Sequence, residues 1–193
     1  MDRVDLFPSE LTKNFGGALL EILRHLGVPQ DTDGIDATPA RVLRALAEMT
    51  EGFDQDPALI LGTTFEVDHA DQMIVVRGAE FASLCEHHLM PFVGRATIAY
   101  LPGPGARVVG LSKLPRLLNC FARRTQTQER LTMQVTAAID KHLDSLGSAC
   151  IVRATHGCMA YRGVRSPGEM VTSSLTGVFL DQPSTRAELL SLS

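Results

Sequence analysis

Residues 96–111 read ATIAYLPGPGARVVGL, which is two short apolar runs on either side of a turn. The runs at 96–101 and 107–111 are rich in branched or apolar residues and are bounded by glycine and proline, a pattern typical of β-strands. The intervening PGPG predicts the turn that connects them. Runs of the same kind predict further strands at 73–77, 149–154 and 170–179.

Helical periodicity dominates the chain before these strands. A helix is predicted over residues 9–27, where Ser9 can cap the start, Gly27 can end it, and one stripe holds Leu11, Phe15, Leu19, Ile22 and Leu26. A second helix is predicted over residues 38–52. Thr38-Pro39 is typical of an N-cap followed by proline at the first helical position, and the residues expected to face inward are Val42, Leu46 and Met49.

Two more helices are predicted between the strands. Ser112 can cap one that runs to about residue 124, with Pro115 tolerated in its first turn. The other spans about 126–146, with Gly147 beyond its end and one apolar stripe formed by Leu131, Val135, Ile139 and Leu146. The order of helices, strands, helices and strands indicates an α+β fold with a mostly antiparallel sheet.

The same order predicts three regions along the chain. These are an N-terminal helical segment over residues 1–62, a main domain over residues 63–180 that contains the predicted strands, and a C-terminal tail over residues 181–193. The last dozen residues are polar, so we expect the tail to be loosely held.

Composition and charge exclude several classes of protein. Of 193 residues, 45% are hydrophobic and 21% are charged, which is ordinary globular composition. A net charge of −4 is a poor match for nucleic acid. No apolar run reaches the roughly 18–20 residues of a membrane span, and residues 1–5 lack the basic start of a signal peptide. We therefore expect a cytoplasmic protein that contacts neither nucleic acid nor membrane.

Metal-binding residue types are concentrated in two short segments. Residues 85–88 read Cys-Glu-His-His and residues 156–158 read His-Gly-Cys. Cys85 and His88 have the spacing that lets one turn of backbone present two donors, and Cys158 would be a third ligand of a zinc ion with an open fourth position. His156 could either bind the ion or act as an acid or base beside it. Cys120 and Cys150 each lie in apolar patterns, so we expect them to pack in the core.

Three further groups of residues could bind a substrate. Residues 123–130 lie at a helix start, where Glu129 can accept two N–H bonds from a guanine edge and a glutamine can complete the pocket. Ser112, Lys113 and Arg116 lie at another helix N-terminus, where free N–H groups attract phosphate, and Arg162 lies near Cys158 in sequence. Arg41 and Arg44 share one side of their helix, and from the residues alone both could be solvated surface groups.

Several motifs together resemble one family of enzymes, GTP cyclohydrolase I. The matching segments are CEHHL at 85–89, GLSK at 110–113, QTQERLT at 126–132, HGCM at 156–159 and RGV at 162–164, with TPARV at 38–42 near the start. The resemblance covers about residues 15–180. Each motif alone is weak, whereas the full set in this order is specific.

The resemblance implies a role for each candidate residue. Cys85, His88 and Cys158 would bind Zn²⁺, while His87 and His156 would be catalytic. Gln128 and Glu129 would hold the guanine of GTP. The triphosphate and ribose would be bound by Ser112, Lys113, Arg116 and Arg162, joined by Arg41 from a neighbouring subunit.

The resemblance also implies the fold and the reaction. The fold would be the tunnelling fold, an antiparallel sheet with helices packed on one side, whose subunits form a β-barrel ring. The expected assembly is a homodecamer with active sites at subunit interfaces. The expected reaction is zinc-dependent hydrolysis of GTP at C8, with release of formate and rearrangement to 7,8-dihydroneopterin triphosphate, the first step of pterin and tetrahydrofolate biosynthesis.

Two other classes of protein share parts of this pattern. A related tunnelling-fold enzyme, such as the nitrile reductase of queuosine synthesis, would need a nucleophilic cysteine and a nicotinamide cofactor. A zinc module without catalytic activity would have a closed site, with His87 or His156 as the fourth ligand. Metal analysis combined with a formate assay distinguishes all three.

Overall fold

The computed structural model describes residues 6–67 and 72–193. These residues belong to two compact units, Met1–Thr50 and Glu51–Ser193. The prediction that the chain does not start as a signal peptide does was made on residues 1–5, which lie outside the described residues. None of the helices in the described part combines the length and apolarity that a membrane crossing requires.

The first unit contains helices α1 (Ser9–His25) and α2 (Thr38–Met49). The prediction that Gly27 ends α1 is confirmed: Gly27 has a φ of +82°, its N–H donates to Arg24 O, and the N–H of Val28 donates to Leu23 O. This pair of bonds satisfies carbonyls that the helix end would otherwise leave unpaired. The start differs from the prediction, because Pro8 is the N-cap residue and Ser9 is already helical.

The two helices of this unit differ in how far their apolar residues are covered. None of the residues of α1 is buried, and Leu11, Ile22 and Leu26 are exposed. The buried residues of α2 are Pro39, Leu43 and Ala47, whereas the predicted inward residues Val42, Leu46 and Met49 are only half-buried. The inward face of α2 is therefore rotated by about one residue from the predicted stripe. Thr38 is the first helical residue and Ala37 is the N-cap.

The second unit contains two β-sheets and the remaining helices. Its strands are β1 (Thr64–Phe65), β2 (Ile74–Cys85), β3 (Pro91–Pro102), β4 (Val108–Val109), β5 (Thr125–Gln126), β6 (Ser145–His156) and β7 (Glu169–Leu175). Its helices are α3 (Pro57–Leu61), α4 (Lys113–Ala122), α5 (Gln128–His142), α6 (Gly157–Ala160), α7 (Val178–Asp181) and α8 (Pro183–Leu192).

The main sheet has the strand order β5-β2-β3-β6-β7, and β1 pairs with β4 in a separate two-stranded sheet. All pairs of the main sheet are antiparallel except β2 with β5, which confirms the predicted α+β class with a mostly antiparallel sheet. The predicted strand at 73–77 is the start of a longer strand. β2 continues past an irregularity at Arg77-Gly78, where Gly78 has a φ of +74°.

Two predicted boundaries near α5 and β7 were wrong. The helix predicted to reach residue 146 ends at His142, since Leu143 adopts an extended conformation and Leu146 and Gly147 belong to β6. The strand predicted to reach residue 179 ends at Leu175, and Phe179 lies on α7 instead. The predicted tail contains helix α8, whose Leu189 is fully buried.

The core lies on both faces of the main sheet. One face is covered by α4 and α5, whose Leu117, Leu131 and Ile139 are fully buried together with Phe92 and Val152 of the sheet. On the opposite face, Phe179 and Leu189 pack against Ala99, Ala149 and Ile151. Helices therefore pack on both sides of the sheet and not on one side as expected, because α7 and α8 return across its other face.

The cysteines predicted to pack in the core are buried. Cys150 is fully buried in β6, and burial raises the pKa of its thiol to about 12. Cys120 is fully buried in α4, where its thiol lies 3.4 Å from Arg124 Nη2. Both are small side chains that fill the interior, as predicted.

The close approach of the β3 backbone to β6 at Gly94 generates a stability prediction. A Cβ at Gly94 of β3 would lie 2.0 Å from Arg153 O and 2.7 Å from Ala154 Cα of β6. The two strands would have to separate, since neither atom belongs to a movable side chain. Gly94→Ala should lower the free energy of unfolding by about 3 kcal/mol or more in chemical denaturation.

Gly17→Ala on helix α1 is the matched control, because a Cβ there would have no atom of the described residues within 4 Å. It should stabilise the protein slightly, by about 1 kcal/mol at most. A Gly94→Ala variant as stable as the wild type would contradict the close pairing of β3 with β6.

Candidate functional site

The first donor segment lies where β2 ends. Cys85 is the last residue of the strand, and its backbone is held in the turn by three hydrogen bonds: its N–H donates to Met90 O, and its carbonyl accepts from the N–H groups of His88 and Leu89. Leu89 has a φ of +52°, which reverses the chain toward β3. The turn therefore places Cys85 and His88 one helical turn apart, as the spacing predicted.

The second donor segment lies where β6 ends. His156 is the last residue of the strand, and Cys158 lies in the four-residue helix α6 that follows directly. Because β3 lies between β2 and β6, the ends of these two strands come close to each other. One donor atom each of Cys85, His88 and Cys158 lies within 4.8 Å of the others.

The spacing of these donors fits a zinc ion. Ligand bonds of about 2.3 Å to sulfur and 2.0 Å to nitrogen, at a tetrahedral angle, place two such donors about 3.6 Å apart. Cys85 Sγ lies 3.9 Å from His88 Nδ1. Two thiols and one imidazole are also the soft and borderline donors that zinc prefers. Cys85 is buried, Cys158 is half-buried and His88 is exposed, so the group faces solvent on one side.

His87 and His88 are equally close to Cys85, and it is the position of Cys158 that distinguishes them. Cys85 Sγ lies 3.9 Å from Nδ1 of each histidine. His88 belongs to the three-donor group with Cys158, and His87 does not. The exposed His87 instead directs Nε2 to within 3.9 Å of a carboxylate oxygen of Glu86.

The ionisation of Cys158 responds to its neighbours. Burial raises the pKa of the Cys158 thiol, the nearby Cys85 thiol raises it further, and the positive charge of Arg162 opposes this. Two thiols side by side disfavour two negative charges, whereas a divalent cation between them would favour both.

His156 is fixed by two contacts. Its ring stacks on Phe92 with the ring centroids 4.5 Å apart and the planes 3° from parallel. Its Nε2 lies 2.8 Å from Gln128 Oε1. Burial lowers the pKa of His156, and the negative charge of Glu129 partly offsets this. The ring is therefore held beside the donor group without belonging to it.

The predicted guanine-binding pair has two different environments. Gln128 and Glu129 begin helix α5, which Thr127 caps by accepting a hydrogen bond from the N–H of Arg130 at 3.3 Å. Glu129 is exposed, whereas Gln128 is fully buried and every polar group of its side-chain amide has a partner within the chain.

The predicted phosphate-binding residues lie at the surface of the chain, where Lys113 is half-buried and the others are exposed. Lys113 begins α4, Ser112 is its N-cap residue without a side-chain capping bond, and Arg116 follows in the first turn. Arg162 lies in the exposed stretch 161–169 and is close enough to Cys158 to affect its pKa. In the first unit, Arg41 is exposed and donates to the carbonyl of Gly34.

Sequence reasoning missed an ion pair that anchors the first donor segment. Arg130 of α5 donates to the carboxylate of Glu86, and the N–H of Glu86 donates to Gln126 O. Both residues lie in motifs already noted, but 44 positions separate them, so no local pattern indicates that they pair. The turn that carries His87 and His88 is thereby tied to the start of α5.

Comparison with known proteins agrees with this arrangement. Residues 16–193 match the family described as GTP cyclohydrolase I. "GTP cyclohydrolase 1" of Thermobifida fusca is 47% identical over 176 residues, which cover 91% of this chain and 84% of that protein. Proteins of the same name from Desulforamulus reducens and Rhodopirellula baltica are 46% and 47% identical over 91% of this chain, covering 93% and 76% of their own lengths.

A solved structure gives a much weaker similarity. The archaeosine synthase QueF-Like in its apo form is 13% identical and has a TM-score of 0.40, covering 56% of this chain and 96% of its own. This similarity supports no conclusion about activity. The family match and the relatives in sequence extend over nearly the whole chain, and the matched residues 16–193 include both donor segments. The chain is therefore a member of the GTP cyclohydrolase I family of hydrolases.

Proposed function

We propose that this protein uses Zn²⁺ to hydrolyse GTP at C8, releasing formate and forming 7,8-dihydroneopterin triphosphate. This would be the first step of pterin and tetrahydrofolate biosynthesis, carried out in the cytoplasm without nucleic acid or membrane as partner. The observation that carries the proposal is the grouping of Cys85, His88 and Cys158, since residues 73 positions apart converge with donor spacing suited to zinc. Membership of the GTP cyclohydrolase I family supports this choice of reaction.

The three donors would hold the metal, and the two remaining histidines would move protons. Bound zinc supplies Lewis-acid chemistry, in that it lowers the pKa of a water molecule toward neutrality. His156 would protonate N7 of the purine while C8 is attacked. His87, exposed and outside the donor group, would assist ring opening and later proton transfers.

The substrate would be held at both ends. Glu129 would accept hydrogen bonds from N1 and the amino group of guanine, which would orient C8 toward the metal. Ser112, Lys113, Arg116 and Arg162 would bind the triphosphate and ribose, because cations and free N–H groups at a helix N-terminus attract phosphate. Arg41 would contribute from a neighbouring subunit.

The assembly would be a ring of tunnelling-fold subunits, with two pentamers forming a decamer. Two observations support association of subunits. Among the described residues, strand β7 ends the main sheet and has no strand paired on its outer edge, where a strand of another subunit could pair. Helix α1 and its C-cap residue Leu26 expose an apolar stripe that a partner could cover, with Leu11 51%, Ile22 55% and Leu26 74% exposed.

The metal assignment predicts the result of removing one donor. Cys158→Ser should lose both bound zinc and formate release from GTP, because serine is a much poorer zinc ligand at neutral pH. Metal analysis of the purified protein and a formate assay measure the two effects. Cys120→Ala is the control, since Cys120 is a buried cysteine outside the donor group. A Cys158→Ser variant with stoichiometric zinc and full formate release would make the assignment wrong.

The assignment of Glu129 to guanine predicts that its replacement lowers activity on GTP without changing the zinc content. Glu129→Gln removes the negative charge that would face the N1–H and amino group of guanine. The kcat/KM for GTP should therefore fall about 100-fold, while the zinc content stays unchanged. Glu80→Gln is the matched control, since Glu80 is an exposed carboxylate on β2 paired with Arg95 at 3.0 Å. Equal kinetics for wild type and Glu129→Gln would remove Glu129 from the base pocket.

The interface assignment predicts complementation between defective subunits. Arg41→Ala and Cys158→Ser should each be nearly inactive alone. Co-assembled in equal amounts, they should recover about a quarter of wild-type formate release, because that share of interfaces pairs an intact metal site with an intact Arg41.

A second mixture is the control for this experiment. Cys85→Ser mixed with Cys158→Ser should recover nothing, since both donors belong to the same chain. Recovery in this control, or none in the Arg41 mixture, would contradict a site shared between subunits.

A further inference from the structure

The side chain of Gln128 is a buried amide with four partners. Its exposure is 0%, although it lies in the first turn of α5. Nε2 lies 3.1 Å from Val152 O, 3.0 Å from Met170 O and 3.1 Å from Thr172 Oγ1. Oε1 lies 2.8 Å from His156 Nε2. The amide therefore connects α5, β6, β7 and the histidine beside the metal group.

The partners fix which end of the amide points to His156. Val152 and Met170 present backbone carbonyls, which only accept hydrogen bonds. The NH₂ group must face them, because the reverse orientation would place the amide oxygen against two carbonyl oxygens and leave all of these groups unpaired. Oε1 is thus the end that faces His156.

Two hydroxyl groups agree with this orientation. Thr132 Oγ1 donates to the backbone carbonyl of Gln128 at 2.6 Å, so its only proton is used there. Thr132 Oγ1 must then accept from Thr172 Oγ1 at 2.7 Å, and Thr172 Oγ1 can in turn accept from Gln128 Nε2. These hydrogen bonds run from the Gln128 amide through Thr172 and Thr132 to the backbone carbonyl of Gln128, and each bond joins one donor to one acceptor.

The orientation determines which nitrogen of His156 carries the proton in the neutral ring. Oε1 only accepts, so His156 Nε2 must be the N–H that donates to it. The ring cannot turn over easily, since it is stacked on Phe92. Nδ1 is left with a lone pair, and among the described residues it has no hydrogen-bond partner.

We propose that Gln128 is a positioning residue, which holds His156 as the Nε2–H tautomer and so makes Nδ1 the nitrogen that exchanges a proton with the substrate. This proposal rests on the proposed function, in which His156 is the proton donor. It gives Gln128 a different role from the guanine contact implied by the family resemblance. The amide of Gln128 is 0% exposed and already paired within the chain, so it offers no surface to a base, whereas the adjacent Glu129 is exposed.

The tautomer can be tested without substrate. In metal-loaded protein labelled with nitrogen-15 histidine, at a pH where the ring is neutral, the His156 Nε2 resonance should have the chemical shift of a protonated nitrogen and Nδ1 that of an unprotonated one. The signals are assigned by their loss in His156→Ala. A protonated Nδ1 in the wild type would overturn the proposal, whether or not the protein acts on GTP.

Kinetics of a variant separate positioning from base recognition. Gln128→Met keeps the volume but removes the acceptor, so formate release at saturating GTP should fall about 10- to 100-fold, with KM within about threefold of wild type. In this variant the two His156 nitrogens should also lose their distinct chemical shifts. An increase in KM with an unchanged maximal rate would overturn positioning and identify Gln128 as a guanine contact.

Thr136→Val controls for general loosening of α5 from β7. Thr136 is buried and forms a hydroxyl pair at 2.7 Å with the half-buried Ser174 in the same helix–strand interface. Among the described residues, the hydrogen bonds of the Thr136 hydroxyl go to Ser174 and Met133 and not to Gln128 or His156. This variant should keep the tautomer and release formate within about threefold of wild type. An equal loss of rate in Thr136→Val and Gln128→Met would overturn the proposal in favour of a purely structural role.

If wild-type protein releases no formate from GTP, the proposed function fails. The nitrogen-15 measurement still decides the link between Gln128 and His156. If Gln128→Met does not fold, the wild-type chemical shifts decide it as well.

Discussion

The pairing of β3 with β6 is the constraint on which the rest of the site depends. Its register runs from Phe92 opposite His156 to Leu101 opposite Gly147 without interruption. A shift of one residue would turn every side chain of β6 to the other face of the sheet. The same register places His156 on Phe92 and brings the end of β6 to the turn after β2, where Cys85 lies. The register thus positions both the metal donors and the histidine beside them.

Polar groups, not apolar packing alone, join α5 to the sheet edge. Thr132 pairs with Thr172 and Thr136 pairs with Ser174, in an interface that also contains the buried amide of Gln128. Each of these side chains is paired, and an unpaired one would be costly, so this interface accepts one arrangement of helix against strand. Apolar contacts on their own would tolerate small shifts along the strand.

Regular periodicity in the sequence predicted most of the elements and few of their ends. Leu131, Val135 and Ile139 recur at helical spacing and are all fully buried, but the next leucines belong to an extended segment that tertiary pairing imposes. The second half of β2 has no run of branched residues, and only its pairing with β3 makes residues 79–83 alternate between buried and exposed. For the metal group, local spacing predicted Cys85 with a histidine. Choosing His88 over His87 required the position of Cys158, which only the fold supplies.

The acceptors of the Gln128 amide connect the chemistry to the integrity of a sheet edge. Two of them, Met170 O and Thr172 Oγ1, belong to β7, the last strand of the sheet. Edge strands are among the first parts of a fold to open in local unfolding. When β7 detaches, the amide loses two of the three acceptors that orient it, so strand opening and loss of the histidine tautomer would be one cooperative event. Protection of the β7 amides from hydrogen exchange would then report on the fraction of molecules competent for proton transfer.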